Sequence, residues 1–458
     1  MEKRTIGVLL AGVIVRIVLF ERFPELSHVL DGRVECSTPV SSFKRMKEGI
    51  YQHTHGADPY NGGVFHQSPL LLALFTTLHD VFGSEDSVSS YLYALVDLVV
   101  GVALVRIVTA LKKQGHAMFD PATVAAIYLF NPFTLLSTLA KSTVAFSNAT
   151  VAVAVVAATT HKPLQAMLVL ALAAVLSGYP LYLLPALATL ALKCTPPPNT
   201  ASSSSEPRRA TGVQGASPLQ NPNPGVSLGA RPQTPWARFA RGVGHVFNEV
   251  SLGVWGWAYV RLGLVFALAG GLFLLLSYQT TGNWNFVSSV YGTILFFSDL
   301  TPNIGLWWYF FTEMFEFFRS FFMGVFQIYV AAFALPLAIR FKDNPLFALA
   351  TMTGIATLLK SYPEVGDIGF YFTLLALCRP IFPLLKYGIP VTLALLYSAA
   401  LAPTFYHLWI YLGSGNANFF YAITLVYALA MTIMLSDSVW AAIRLQYDGG
   451  KNPNLSQI

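Results

Sequence analysis

The chain has 458 residues, of which 55% are hydrophobic and only 11% are charged. A soluble globular protein carries roughly 25% charged residues, so this composition excludes that class and indicates a polytopic membrane protein. The net charge of +6 does not indicate nucleic-acid binding, because the basic residues lie in short loops and at the ends of apolar segments, as the positive-inside rule predicts.

The first segment has a basic start at residues 1–4 and an apolar run to Phe20. Residues 20–24 then read Phe-Glu-Arg-Phe-Pro, which lacks the small-x-small pattern of a cleaved signal peptide. We therefore predict an uncleaved signal anchor whose basic end lies in the cytosol.

Apolar segments of about 20 residues, or slightly fewer, recur along the chain and predict about twelve transmembrane helices in an all-α fold. They cover residues 5–20, 89–110, 122–140, 143–160, 164–177, 179–192, 252–277, 305–339, 345–360, 366–384, 388–411 and 418–440. Gly178 and Pro180 interrupt the stretch 164–192, so it is either a hairpin of two short helices or one kinked helix.

Two long polar segments organise the chain into domains. Residues 21–88 form a first loop on the non-cytosolic side, and its mixed charges predict amphipathic helices along the membrane surface. Residues 194–235 are rich in Pro, Ser, Asn, Thr and Gly, a composition typical of a disordered linker. We predict an N-terminal transmembrane half at 1–193, a disordered cytosolic linker at 194–240 and a C-terminal half at 241–458.

Loop charge gives the orientation. The predicted cytosolic loops and ends carry the basic residues, including Lys112, Lys193 and Arg340, whereas the opposite loops 278–304, 361–366 and 412–417 carry only Asp299 and Glu364. This asymmetry predicts that both termini are cytosolic.

Segment 298–318 is unusual because it places three carboxylates and an Asn within a run of aromatic residues. Ionisable groups are costly at membrane depth and need a compensating reason. If residues 305–320 are helical, Glu313 and Glu316 lie three apart on one face, beside Trp308, Phe311 and Phe315.

Two interpretations of this segment stay open. Acids accept hydrogen bonds from sugar hydroxyls or pair with an amine, and indole rings stack on sugars and cations, which suits a sugar-bearing lipid headgroup. The alternative is an interfacial helix held by Trp and Tyr with its Glu side chains in water. Pro302 and Asn303 favour a turn ahead of the helix, with Asp299 and Thr301 as candidate caps.

Residues 361–367 and 406–421 are two further polar and aromatic breaks on the same predicted side. The three clusters either line one cavity for a polar headgroup or form three independent interfacial turns.

Glu35 lies early in the first non-cytosolic loop, where a polyprenyl-phosphate-sugar transferase needs an acid; the alternative is an ordinary solvated carboxylate.

His53 and His55 are two residues apart, a spacing that could turn both toward one metal ion, yet two solvated loop histidines explain it as well. Three distant cysteines, Cys36, Cys194 and Cys378, show no metal or catalytic spacing. No metal or cofactor is predicted.

Several stretches resemble the PIG-U subunit of the glycosylphosphatidylinositol (GPI) transamidase. They are VFHQSPL at 64–70, NPFTLLS at 131–137, AKST at 140–143, SDLTPNIGLWWYFF at 298–311, KSYPEVGD at 360–367 and the stretch 407–425. They occur in the family's order and cover nearly the whole chain, apart from 194–235, which looks like an insertion.

The resemblance implies an endoplasmic-reticulum membrane protein with a fold similar to the GT-C lipid-linked-sugar glycosyltransferases. Those enzymes carry an Asp-x-Asp-like pair in the first luminal loop. The corresponding place here is Arg33-Val34-Glu35, and a cation in place of the first acid neither acts as a base nor binds a divalent metal.

The resemblance therefore implies a non-catalytic subunit that binds the GPI lipid and glycan and presents the terminal amine. The catalytic Cys would belong to a separate caspase-like chain, and the other partners would be the remaining transamidase subunits and the membrane, with no nucleic acid. By position and resemblance the expected GPI-binding residues are Asp299, Asn303, Glu313, Glu316, His407, Asn416 and Asn418. The alternative is a mannosyltransferase that uses dolichyl-phosphate-mannose, with Glu35 as its acid. A transporter lacks support, because matching broken helices are not visible in the two halves.

Overall fold

A computed structural model of the chain describes residues 2–83, 85–195 and 254–451, and every regular element in these residues is a helix, as predicted. The α-helices, numbered in chain order, are α1 Lys3–Arg22, α2 Pro24–Asp31, α3 Phe43–Thr54, α4 Pro69–Phe82, α5 Glu85–Lys113, α6 Pro121–Leu129, α7 Pro132–Leu139, α8 Val144–Thr159, α9 Pro163–Ser177, α10 Leu184–Cys194, α11 Val254–Thr281, α12 Thr293–Phe296, α13 Trp307–Glu313, α14 Glu316–Ala331, α15 Ala334–Arg340, α16 Pro345–Leu359, α17 Val365–Ala376, α18 Gly388–Ile410 and α19 Ala417–Asp448. Short 3-10 helices occupy Tyr179–Leu183 and Arg379–Leu384, and a π-helix occupies Val287–Gly292.

Five helices in the described residues are long and apolar enough to cross a membrane. They are Val88–Lys113, Gly256–Thr281, Glu316–Arg340, Gly388–Ile410 and Ala417–Asp448. Helices α6 and α7, bent by 51°, add a sixth if they count as one span, and seven further apolar helices have only 10–17 residues. The count of about twelve crossings therefore stays a prediction.

Residues Met1–Thr195 and Leu262–Ile458 form one compact unit, and Pro196–Arg261 form a second. Of the second unit the structure describes only residues 254–261, the first turns of α11. Nearly all of the predicted linker at 194–240 thus lies outside the described residues, and its disorder stays a prediction.

Residues 21–88, the predicted first non-cytosolic loop, contain three helices, α2, α3 and α4. Helix α3 is amphipathic, because Phe43, Met46 and Ile50 are buried on one side while Lys44 and Glu48 are exposed on the other. The N-cap Ser42 accepts a hydrogen bond from the backbone amide of Arg45 at 3.4 Å, which fixes where α3 begins.

The chain between residues 305 and 320 is two helices, so the prediction of one continuous helix is wrong. Helix α13 ends at Glu313, Met314 and Phe315 are extended with ψ of 143° and 134°, and α14 begins at Glu316. Glu313 and Glu316 therefore do not share a helix face. The cap prediction is also wrong, because the N-cap of α13 is Leu306 and no side chain caps it.

A buried ion pair joins α1 to α5. Arg16 is fully buried, and its Nε donates to the carboxylate of Asp97, which also accepts from the Tyr128 hydroxyl at 2.7 Å and the Thr138 hydroxyl at 2.5 Å. Tyr128 belongs to α6 and Thr138 to α7. Arg16 also donates to the Leu129 carbonyl at 2.9 Å. A charged pair at this depth is tolerated because nearly every polar atom finds a partner.

We expect Asp97→Ala to destabilise the protein by about 3–5 kcal/mol, because Arg16 would stay buried without its counter-charge. Thermal unfolding in detergent measures this. Lys112→Ala is the matched control: Lys112 lies 3.9 Å from Asp120 in an exposed pair, whose loss costs about 0–1 kcal/mol. Equal losses in the two variants would contradict the importance of the buried pair.

Candidate functional site

The three aromatic and polar segments predicted on one side meet in a single packed group, which we call the aromatic cluster. Its inner part is Phe297, Trp307, Phe311 and Tyr362, and its outer part is Trp308, Tyr309, Trp409, Phe420 and Tyr421. Ring centroids of Trp308 and Trp409 lie 5.9 Å apart, and those of Tyr309 and Tyr421 lie 4.4 Å apart. Such offset and edge contacts are favourable beyond simple burial. The three segments are therefore not independent turns, and a shared cavity for a headgroup stays a prediction.

Asp299 ties this cluster to the first loop. Its Oδ2 accepts from Nη2 of Arg45 at 2.8 Å, and its Oδ1 accepts from the backbone amide of Thr301 at 2.9 Å and from the Thr301 hydroxyl. Arg45 also donates to the Val64 carbonyl at 2.9 Å. Arg45 was not singled out from sequence as a site residue, because its partner lies 254 positions away.

The pKa of the Asp299 carboxyl is lowered. Burial by itself raises this pKa, but the hydrogen bonds from Thr301 and the positive charge of Arg45 outweigh that effect. The pKa of nearby His66 is also lowered, first by burial and then by the charge of Arg45. His66 Nδ1 lies 2.9 Å from the Ser289 carbonyl.

Asn303 is completely buried, and its side chain organises the loop. Its Oδ1 accepts from the amide of Gly305 at 2.7 Å, while Nδ2 donates to the Ser361 carbonyl at 3.4 Å. A Cβ on Gly305 would lie 2.7 Å from a carbon of Pro363, so glycine is needed for this close approach.

Phe297 precedes this loop in the left-handed region, with φ of 45°. This conformation is strained for a bulky side chain and persists only where the surroundings enforce it. Phe297 is fully buried against Trp307 and Tyr362, and its carbonyl accepts from Arg319 at 3.2 Å.

The remaining predicted site residues are exposed around the aromatic cluster. Glu313 and Glu316 flank the break between α13 and α14, and Glu316 lies 3.8 Å from Arg319. His407 lies on α18 with its ring 5.2 Å from that of Tyr411. Asn416 caps α19 by accepting from the amide of Asn418 at 3.1 Å, and the Asn418 side chain accepts from the Tyr309 hydroxyl.

A buried polar network involves the segment 360–367, which also contributes Tyr362 to the cluster. Lys360 Nζ is 2.5 Å from Asp367 Oδ2, and Glu364 accepts from the Ser142 hydroxyl. Glu364 and Asp367 form a capping box at the start of α17. Burial raises the pKa of Glu364, as does the charge of Asp367. The network thus joins the segment 140–143 to the segment 360–367.

Glu35 is buried, with 7% of its surface exposed, so the interpretation as a solvated carboxylate is wrong. Burial raises its pKa, and its Oε1 has no hydrogen-bond partner. Burial also raises the pKa values of Cys36 and Cys194, which disfavours the reactive thiolate form, and Cys378 is buried. No group of three His, Cys, Asp or Glu side chains among residues 2–83, 85–195 and 254–451 is arranged to hold a metal. His53 and His55 lie at the end of α3, and the ring of His55 packs on Tyr51, with centroids 4.0 Å apart.

The fold and this site define a helical protein with several membrane-length helices and an acid- and amide-bordered aromatic cluster. The family model for the GPI transamidase subunit PIG-U matches residues 10–427, and the chain belongs to this family.

Relatives that align with nearly the whole chain support this membership. The GPI transamidase component GAB1 of Saccharomyces cerevisiae is 33% identical over 98% of this chain and 97% of the relative. The GPI-anchor transamidase component PIGU of Homo sapiens is 33% identical over 96% of this chain and 94% of the relative. The GPI transamidase component GAB1 homolog of Schizosaccharomyces pombe is 29% identical over 92% of this chain and 90% of the relative.

We expect Asp299→Asn to destabilise the protein at pH 7 by no more than about 1 kcal/mol, because the partly exposed pair with Arg45 is screened by solvent. The folded-state pKa of Asp299 is depressed, so its stabilisation is fully present above the unfolded value of about 3.9 and is lost as the pH falls through the folded value. The wild type and the variant should therefore converge in acid.

Unfolding midpoints measured from neutral pH downward test this, with Asp80→Asn as a control at an exposed carboxylate. A difference between wild type and Asp299→Asn that grows as the pH falls would contradict the sign.

Proposed function

We propose that this chain is a non-catalytic subunit of the GPI transamidase that recognises the GPI lipid and glycan and presents the terminal amine to a partner chain. The family and the names of the relatives support membership of the complex. We further propose that the protein is a multi-pass protein of the endoplasmic-reticulum membrane with about twelve crossings, a GT-C-like arrangement and both termini in the cytosol.

The observation that carries the recognition proposal is the setting of Glu313 and Glu316. On one side they border the aromatic cluster, in which Trp308 and Phe311 of α13 are buried, and Phe315 between them exposes 79% of its surface. On the other side α14 presents Phe317 and Phe321, with 88% and 67% of their surfaces exposed. An amphiphile with a sugar headgroup and acyl chains needs this combination of polar, stacking and apolar surfaces.

The seven expected site residues divide by role. Asp299 and Asn303 have their side-chain atoms engaged within the loop, so we propose that they hold its shape. The exposed residues are the proposed direct contacts with GPI, namely Glu313, Glu316, His407, Asn416 and Asn418.

The burial and the raised thiol pKa values of the cysteines in this chain agree with a catalytic Cys on a partner chain. Catalysis of amide exchange by a thiol requires a thiolate beside a positioned base. Cys36 and Cys378 are buried, and the pKa values of the Cys36 and Cys194 thiols are raised. We propose that the catalytic Cys lies on a caspase-like subunit.

We expect affinity purification of the tagged chain in mild detergent to recover the other transamidase subunits, including the caspase-like chain. Mass spectrometry of the eluate identifies them, and an unrelated polytopic membrane protein of the same compartment is the control. Recovery of the chain alone would contradict the proposal.

The variant Glu35→Ala, expressed in cells that lack the gene for this chain, distinguishes the mannosyltransferase alternative from the proposed function. Normal cell-surface display of a GPI-anchored reporter with this variant contradicts transferase chemistry at Glu35. Mannose transfer from dolichyl-phosphate-mannose by the purified chain without its partners, lost in Glu35→Ala, would instead favour the alternative.

We expect the double variant Glu313→Gln and Glu316→Gln to retain GPI in the purified complex about threefold to tenfold less well, because amides make weaker hydrogen bonds to the ligand's amine and hydroxyls than carboxylates do. Mass spectrometry of extracted lipid measures retention. Glu25→Gln is the matched control, since Glu25 is also exposed at the start of a short helix on the same predicted side.

Subunit recovery is measured on the same samples. Unchanged GPI retention in the double variant would contradict the direct-contact role, and an equal loss in Glu25→Gln would mean that only general surface charge matters.

A further inference from the structure

Interruptions of regular α-helix meet at one cavity in the compact unit formed by Met1–Thr195 and Leu262–Ile458. They are the turn at 140–143 between α7 and α8, the 3-10 helix Tyr179–Leu183, the π-helix Val287–Gly292 and the turn at 360–364 between α16 and α17. Each of them contributes a residue to the cavity lining, namely Thr143, Tyr179, Val290 and Lys360. In apolar surroundings irregular backbone is tolerated where it is buried in protein or lines a cavity, and π-helical turns are frequent at functional sites. The convergence marks this cavity as a candidate binding site.

The size of the cavity limits what it can hold. Its volume is about 70 Å³. Because one water molecule needs roughly 10–15 Å³ of such space, the cavity holds about five to seven waters, which occupy roughly 150–210 Å³ as liquid. A single six-membered ring with its hydroxyl groups displaces a similar amount of water. The cavity therefore accommodates one such ring and excludes a larger headgroup.

The charged side chains of the lining compensate each other. Lys360 Nζ lies 2.5 Å from Asp367 Oδ2 and 4.8 Å from the centroid of the Tyr179 ring. Both charges are buried, and a further charge beside them would have no counter-charge. The cavity therefore favours an uncharged ligand.

His66 contributes a hydrogen-bond acceptor to this lining. Its Nδ1 lies 2.9 Å from the Ser289 carbonyl, which can only accept, so Nδ1 carries the proton. The ring is neutral because burial, and then the charge of Arg45, lower its pKa. Nε2 of the neutral ring is therefore an acceptor.

The other polar side chains add an acceptor and a donor. Asn148 donates from Nδ2 to the Gly366 carbonyl at 3.4 Å, which leaves Oδ1 as an acceptor. The Ser147 and Ser177 hydroxyls share one hydrogen bond of 2.8 Å, so one of their two protons is left to donate. A hydroxyl group both donates and accepts, and a ring that carries several hydroxyls matches this set of partners.

Apolar surface borders the cavity. Leu181, Leu295 and Phe296 expose 50%, 48% and 69% of their surfaces, and the last two directly follow the lining residue Ile294. The segments that carry them are adjacent, because a Cβ on Gly178 would lie 3.6 Å from Ile294. Exposed apolar side chains beside a polar cavity suit a lipid, whose chains lie outside while its polar ring enters.

We propose that this cavity binds one uncharged, hydroxyl-bearing ring at the end of a membrane lipid, as a site separate from the exposed GPI contacts. Ring hydroxyls donate to His66 Nε2 and Asn148 Oδ1 and accept from the hydroxyl pair of Ser147 and Ser177. The hexose of a glycosyl diacylglycerol and the inositol of phosphatidylinositol share this chemistry.

The test uses the full chain with its co-purified partners, reconstituted in phosphatidylcholine nanodiscs that contain one added lipid. The added lipids form two matched pairs, glucosyl diacylglycerol with diacylglycerol and phosphatidylinositol with phosphatidic acid, and the members of each pair differ only by the ring. After detergent exchange, mass spectrometry measures the retained lipid. We expect the ring-bearing member of at least one pair to be retained and its partner to be lost, and the retained lipid identifies the source of the ring.

We expect Asn148→Leu to lower this retention about threefold to tenfold, as the loss of one neutral hydrogen bond predicts. Thr150→Val is the matched control, because Thr150 lies on the same helix, does not line the cavity and bonds through its hydroxyl to the Phe146 carbonyl. Ser177→Leu should abolish retention by filling part of the cavity, and it decides the test if Asn148→Leu fails to fold.

Equal retention within both lipid pairs would overturn the proposal, and so would full retention of the ring-bearing lipid in Ser177→Leu, because the cavity would then hold only water. A loss in Thr150→Val as large as that in Asn148→Leu would also contradict it. GPI retained in the same samples should not change, since the proposed GPI contacts lie elsewhere, and a parallel fall in GPI would contradict a separate site.

Discussion

The structure depends on one physical constraint, which is the cost of placing charged and polar side chains in an apolar interior. Two of the buried charges are met by partners from distant parts of the chain. Arg16 meets Asp97 across 81 residues, and Glu364 meets Ser142 across 222 residues. These pairs select one packing of otherwise uniform apolar helices, since another arrangement would leave the charges without partners.

The same constraint positions the candidate site. Asp299 and Arg45, 254 residues apart, join the segment 21–88 to the segment that carries the aromatic cluster. The Asn303 side chain accepts from the Gly305 amide in the turn that follows, and Lys360 pairs with Asp367 in the segment that contributes Tyr362 to the cluster. The polar residues nearest the core therefore provide the scaffold, and we propose that the exposed acids and amides around it contact the ligand.

Exposed rings, amides and carboxylates border the aromatic cluster, and this is the surface that we propose for a glycan with an amine. Membership of the PIG-U family places this surface in a chain whose relatives are named as transamidase components.

The sequence by itself determined the helical class, the position of most helices and the family, because apolar periodicity, chain breaks and motif order are local properties. It also predicted from loop charge that segments 298–318, 361–367 and 406–421 lie on one side of the membrane, and it left open whether they meet. It did not reveal the break between Glu313 and Glu316, because Met314 and Phe315 are not helix-breaking residues and their extended backbone is set by tertiary packing. Only the tertiary structure decided that Glu35 is buried and that Arg45 pairs with Asp299, because both depend on contacts between residues that are far apart in the chain.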